Sequence, residues 1–269
     1  MSGSKIKNLT IAALLLLNTF FLIMIIIDRA ADAREERQAI EDVCSILRSN
    51  GLHITPGNIN AGGNLRTMRT VRVSEAEAAI AEAFLGEFTM TDQGVIYLYE
   101  NEERGTAEFA GDFEIRLNAG VITGSEGALR AVLDLLRDMG IETSEPVISG
   151  PPGFETITAV CMYGGAEIFN VSVEFAFFDG YLETVSGRYV TGIEVAEDSS
   201  RISSVATALL DFLAAVLSGE NESTRIYNIV AGYQHRVVGP SGEGVLSPAW
   251  LVITDTGRYI VDDATGEVR

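Results

Sequence analysis

The sequence predicts an α+β protein: a single N-terminal transmembrane helix followed by two extracytoplasmic modules of antiparallel sheet packed with helices. Three observations predict it. From Leu9 to Ile27 nineteen residues run without a charge, and at about 1.5 Å per residue a helix of that length approaches the ~30 Å hydrocarbon core of a bilayer. Beyond that run, segments with apolar residues at helical spacing alternate with runs rich in β-branched and aromatic residues. Two joints between those runs, Gly164-Gly165 and Asp179-Gly180, are two-residue hairpin signals that pair consecutive strands antiparallel.

The first element is the tail and span. Lys5 and Lys7 precede the charge-free run and every carboxylate follows it, so residues 1–8 read as a cytoplasmic tail, 9–27 as the membrane helix, and the rest as extracytoplasmic. The rival is a cleaved signal peptide, since Ala31-Asp32-Ala33 fits a small-x-small site. The run is longer than a signal core of about 7–15 residues and is separated from Ala31 by Asp28 and Arg29, which favours an uncleaved anchor. Asn18 sits at the midpoint of the span, where an interhelical hydrogen bond is worth roughly 1 kcal/mol; it reads either as a contact for a partner helix or as one amide tolerated in an apolar helix.

After Ile27, seventeen arginines face thirty-eight carboxylates, a net charge of −21. Such a surface repels phosphate, so nucleic acid is excluded as a partner and the domain stands off anionic headgroups. Cys44 and Cys161 are far apart and in no metal-ligand spacing; they are core residues, or a pair in an oxidising exterior.

The first module, 31–120, opens with a helix over Ala31 to Asn50, with Ile40, Val43, Cys44, Ile46 and Leu47 on one face and Gly51 as its cap. A Gly- and Asn-rich loop from Pro56 to Asn64 leads to a strand over Thr67 to Val73. Ser74-Glu75-Ala76-Glu77 is a capping box for a helix ending near Leu85. Val95–Tyr99 and Ala107–Leu117 read as strands, the second broken near Gly111. The second module, 124–269, starts with a helix capped by Ser125, with Leu129, Val132, Leu133, Leu136 and Met139 on one face and Gly140 as its stop. Val43 to Leu52 aligns with Val132 to Ile141, an apolar-faced helix closing in Leu-Arg-x-x-Gly-aliphatic, which marks a candidate internal repeat. Strands follow over Thr156–Tyr163, Glu167–Phe178 and Leu182–Val190, then a helix over Ser203–Leu217, then strands over Ile226–Val238, Ala249–Thr254 and Arg258–Val261. The modules join near 118–124 or 144–153.

Catalytic patterns are absent from the sequence. His53 and His235 are the only histidines, neither beside a ligand-type neighbour; there is no Gly-x-Ser-x-Gly, no phosphate-binding lysine loop and no lysine beyond position 7. Asp255-Thr256-Gly257 resembles an aspartic-protease motif, but one copy lacks the second carboxylate and reads as a hairpin turn. The expectation is a protein that is not an enzyme and uses no metal or cofactor.

Lys5-Ile6-Lys7, the apolar run holding Leu17-Asn18 and Phe20-Phe21-Leu22, and the closing stretch Ser247-Pro248-Ala249-Trp250-Leu251-Val252-Ile253-Thr254 with Gly257-Arg258-Tyr259-Ile260-Val261-Asp262 together resemble the YycI/YycH family of membrane-anchored two-component-system regulators. The closing stretch is also similar to the end of PepSY-type domains. The resemblance covers the first thirty and last twenty-five residues well. It implies a regulator that modulates a sensor histidine kinase of the cell envelope, alongside a paralogous YycH-like protein, through its transmembrane helix and outer domain. On that reading Asn18, Thr19 and Phe20 are candidate partner contacts, and Trp250, Tyr259 and Asp262 are hairpin structure. The alternative is a PepSY-like inhibitor or chaperone of an envelope hydrolase.

Overall fold

The structure, a computed structural model, describes residues 17–22, 24, 34–55, 57, 59, 64–118, 127–196, 201–239 and 243–269. In chain order the elements after residue 33 are α1 (34–49), β1 (His53–Ile54), β2 (Met68–Thr70), α2 (Ser74–Leu85), β3 (Thr89–Asp92), β4 (Tyr97–Asn101), β5 (Gly105–Phe109) and β6 (Asp112–Leu117). Then come α3 (Ala128–Asp138), β7 (Val147–Ser149), β8 (Phe154–Tyr163), β9 (Ala166–Phe178), β10 (Tyr181–Arg188), β11 (Glu194–Val195), α4 (Val205–Leu217), β12 (Arg225–Val237), β13 (Gly244–Thr254) and β14 (Arg258–Asp262).

This corrects the α+β expectation. All fourteen strands belong to one mixed sheet, and the molecule is mostly β. The sheet is unified by pairings between distant parts of the chain, β6 with β10 and β9 with β12, which leave no local mark in the sequence. Among the described residues no helix is long and apolar enough to cross a membrane. The run 9–27 lies mostly outside those residues, so a membrane-spanning helix is not part of the described structure.

Two helix-then-meander units build the centre. After α2 come β3 to β6, and after α3 come β7 to β10, each set antiparallel. Their last strands pair antiparallel, Ile115 opposite Val185, so the strand order β3-β4-β5-β6-β10-β9-β8-β7 reads alike from either end. Alternation decides which way each strand faces. Phe113, Ile115, Ile157, Phe175 and Val185 point inward, where Ile80 and Phe84 of α2 and Val132 and Leu136 of α3 join the same core.

Turn chemistry follows from backbone freedom. Asp179 (φ 50°) and Gly180 (φ 82°), like Gly164 (φ 58°) and Gly165 (φ 81°), are left-handed, as a two-residue turn matched to strand twist requires. The capping box at Ser74 does not form. The N-cap is Val73 without a side-chain cap bond, because Glu77 instead takes two hydrogen bonds from Arg72, at 2.6 and 2.9 Å, and a bidentate charge-assisted pair outcompetes a serine cap. Ser125 lies outside the described residues; α3 starts after Gly127 with no side-chain cap bond. The two helix ends aligned as a candidate repeat close alike, although α1 and α3 lie in different cores. Leu52 N–H bonds Leu47 carbonyl at 3.0 Å, and Ile141 N–H bonds Leu136 carbonyl at 3.1 Å, each beyond a left-handed glycine, which is the Schellman closure.

A second core lies between α1, α4 and the β12–β13–β14 strands, with Cys44, Leu47, Leu209, Phe212, Ile229 and Trp250 fully buried. β9 joins the two cores. Its later half pairs with β10, while Ile168 in its earlier half pairs parallel with Tyr233 of β12. Where those strands diverge, the Asn170 side chain replaces the ladder: its amide donates to His235 carbonyl at 2.7 Å and its Oδ1 accepts from His235 N–H at 2.8 Å. The close approach needs Gly232, since a Cβ there would lie 2.3 Å from Phe169 Cζ and 2.6 Å from Glu167 carbonyl.

Candidate functional site

Both α2 and α3 pack on one face of the eight-stranded antiparallel unit; among the described residues no helix packs on the other. Register places one residue from each strand in a row across that open face: Leu98, Glu108, Glu114, Ser186, Glu174, Thr158 and Val147, from β4 to β7. Directly opposed Glu108 and Glu114 have Cβ atoms about 5 Å apart, and Glu174 stands two strands further, roughly 10 Å away. The face is concave. Glu108, Asp112, Glu114, Glu174, Ser186 and Arg188 line a cavity of about 560 Å³.

Two ion pairs offset part of this charge. Arg116 bonds Glu114 at 2.8 Å and Arg188 bonds Asp112 at 2.6 Å. Glu108 and Glu174 are exposed and keep the row acidic. Along the strands from that row, at the β9–β10 hairpin end of the face, stand aromatic side chains. Phe154 and Phe178, opposite each other on β8 and β9, meet edge to face at 5.0 Å, and Tyr181 is registered opposite Phe178. They are 60, 49 and 43% exposed, where a strand facing its own core would bury them.

At the opposite rim lies His235, 5% exposed. Its Nε2 is 3.2 Å from Thr70 Oγ1, and Nδ1 has no protein partner. Burial pushes its pKa down, the Arg188 guanidinium pushes the same way, and Asp112 opposes them. Gly244 makes the room: a Cβ there would lie 2.5 Å from Nε2. His53 pairs at the start of β12, opposite Arg225, and ten residues of strand, about 33 Å, separate that point from His235. The two histidines share no site. Cys44 and Cys161 are both free and buried, each in a different core; burial pushes the Cys161 thiol up to about 12. Among the described residues no group of three or more His, Cys, Asp or Glu is placed to hold a metal.

The residues expected from the sequence fall elsewhere. Asn18, Thr19 and Phe20 are helical and exposed, with the Phe20 and Phe21 rings 6.0 Å apart. Trp250, Tyr259 and Asp262 share the β13–β14 hairpin. Trp250 is wholly buried with no partner for its Nε1, and Tyr259 packs on Phe212 at 5.7 Å. Asp262 accepts from Arg236 at 2.8 Å and from the Ala264 and Thr265 N–H groups at 3.0 and 3.1 Å, which holds the last turn. Asp255-Thr256-Gly257 is the hairpin turn. Asp255 accepts from Thr224 Oγ1 at 2.6 Å, a bond that with those from the Thr224 and Arg225 N–H groups lowers its pKa. The open face has a sequence signal in the polar residue at every second position in Asp112–Arg116 and in Asn170–Glu174.

No family model matches the sequence, and no curated protein matches it. Among solved structures the chain is similar to an uncharacterized protein from Eubacterium rectale, with a TM-score of 0.46 and 10% identity over 78% of this chain and 85% of that one. A likeness that distant carries no argument about function.

Proposed function

We propose that the protein is a non-catalytic, membrane-tethered regulator whose outer domain docks on a sensor histidine kinase through the open face. The face carries the reading. Eight strands are about 34 Å across, and with strands some 17 Å long the area is of the order that a standard interface covers on each partner, about 800 Å². Loops usually bear catalytic groups on a rigid scaffold, whereas this surface is a scaffold face that presents charge and rings. The kinase as partner comes from the resemblance of the N-terminal segment and the terminal hairpin to YycI-like regulators. Tethering comes from the charge-free run over 9–27, with Asn18, Thr19 and Phe20 as contacts within it and a YycH-like protein as a third member.

A photoreactive residue at Glu174 in the full chain, irradiated in intact cells, tests this, with Glu82 on α2 as the control position. Trapping of a histidine kinase from position 174 and not from 82 is expected. A hydrolase trapped in its place would favour the inhibitor reading, and equal trapping at both positions would remove the face from the function.

A further inference from the structure

We infer that the aromatic end of the open face, with the β7 edge beside it, receives an extended cationic segment of the partner protein. This rests on the docking reading above and deepens it. Between Arg137 and Arg188 the chain holds no lysine, arginine or histidine, and eight carboxylates. That stretch contains β7 to β10, and with them Phe154, Phe178 and Tyr181. Acid flanks the rings along this stretch: Asp179 sits in the turn between Phe178 and Tyr181, and Glu183 is extruded by the irregularity between Leu182 and Thr184; the cation on the adjoining strand, Arg116 opposite Thr184, is bonded to Glu114.

A guanidinium or ammonium placed over an exposed ring gains cation–π attraction, and the flanking carboxylates add charge attraction that salt screens. Next to the rings, β7 is paired on one side by β8, with no second strand partner among the described residues. Val147 and Ile148 on it are 65 and 51% exposed. An extended segment adding to that edge would set alternate side chains on the ring face. Pro146 before β7 and Pro151-Pro152 after it confine such pairing to a short window, which limits uncontrolled edge-to-edge growth. A second copy of this chain is a poor occupant, because each carries a net charge of −19.

The test uses the full chain in nanodiscs of neutral phosphatidylcholine and two acetylated heptapeptides, one alternating arginine with isoleucine and one alternating glutamate with isoleucine, read by fluorescence anisotropy. The arginine peptide is expected to bind, more weakly as salt rises, and the glutamate peptide not to bind. Phe154→Ser with Phe178→Ser should weaken binding at least tenfold. Asp179→Asn with Glu183→Gln, surface changes that leave the core alone, should weaken it several-fold and flatten the salt dependence. Equal binding of both peptides, or unchanged binding by both double variants, overturns the inference. Its failure is separable from that of the docking reading: kinase trapping at position 174 with peptide binding insensitive to these variants sinks only the site. Specific peptide binding without kinase trapping sinks only the choice of kinase.

Discussion

The two helix-then-meander halves of the central sheet share an arrangement and differ in where they put their rings. In the half from α2 to β6, Phe88, Tyr99 and Phe109 meet edge to face at 5.0 and 5.5 Å, and Phe109 stacks on Phe113 at 5.5 Å, all turned toward α2. The half from α3 to β10 buries Phe175 and Phe177 as well, but it also turns Phe154 and Phe178 outward. The first half is also tied by Arg72, whose guanidinium bonds Glu77, donates to the Phe109 and Val95 carbonyls and lies 4.5 Å over the Tyr97 ring. The second half has long strands instead, and β9 continues past its meander to hold β12. One half is built as an anchor and the other as a bridge that keeps a surface free.

If that contrast is right, Arg72→Ala gives the largest loss. It strands Glu77, whose side chain is 9% exposed, and removing one partner of a buried pair costs about 3–5 kcal/mol. Chemical denaturation should show that loss, and Arg72→Ala with Glu77→Ala should recover part of it. Additive losses would mean the two side chains are not coupled.

Gly232→Ala strikes the bridge. A Cβ placed against Phe169 and Glu167 must push β12 from β9, at the overpacking cost of about 1–3 kcal/mol. Hydrogen exchange should then speed up in β9 and β12 while β3 to β5 stay protected. Uniform acceleration would erase the distinction between the halves.

His235 supplies a pH test at the same bridge. Thr70 of β2, Asn170 of β9, Arg188 of β10, Asp112 of β6 and Gly244 of β13 surround it. Its folded pKa is lowered, so above the ordinary value near 6.5 the ring is neutral in both states and contributes no pH dependence. As pH falls below that value the unfolded chain takes up a proton that the fold resists, and stability declines until the folded pKa is reached. Comparing melting curves between pH 7.5 and 5.5 for wild type and His235→Gln should show a shallower decline in the variant; parallel declines would assign the pH dependence to other groups.

The parts legible in the sequence are those set by neighbours along the chain. Val205, Leu209, Phe212 and Leu213 repeat at helical spacing and are all buried on α4, and the Gly-Gly and Asp-Gly turns sit where hairpins need left-handed residues. The capping box at Ser74 misled because Arg72, two residues earlier, competes for Glu77. The edge strands β3 and β7, four and three residues long, are too short for a period to register. The open face was illegible for a further reason: its row joins residues 98, 108, 114, 186, 174, 158 and 147, whose adjacency exists only after β6 meets β10.

The smallest effect separates charge from packing on that row. Glu108 and Glu114 are directly opposed, and like charges opposite each other across strands are destabilising by a fraction of a kcal/mol. Glu114 already has Arg116 at 2.8 Å, so Glu108 is the residue whose charge has less to offset it. Glu108→Gln keeps shape and hydrogen-bonding capacity and should raise stability by a few tenths of a kcal/mol in low salt, a gain that disappears in 1 M salt, where the screening length is about 3 Å. A stabilised Glu108→Gln that also binds the arginine peptide less tightly would connect that retained charge to recognition; a variant stabilised equally at low and high salt would show that charge at this position is not what the fold bears as a cost.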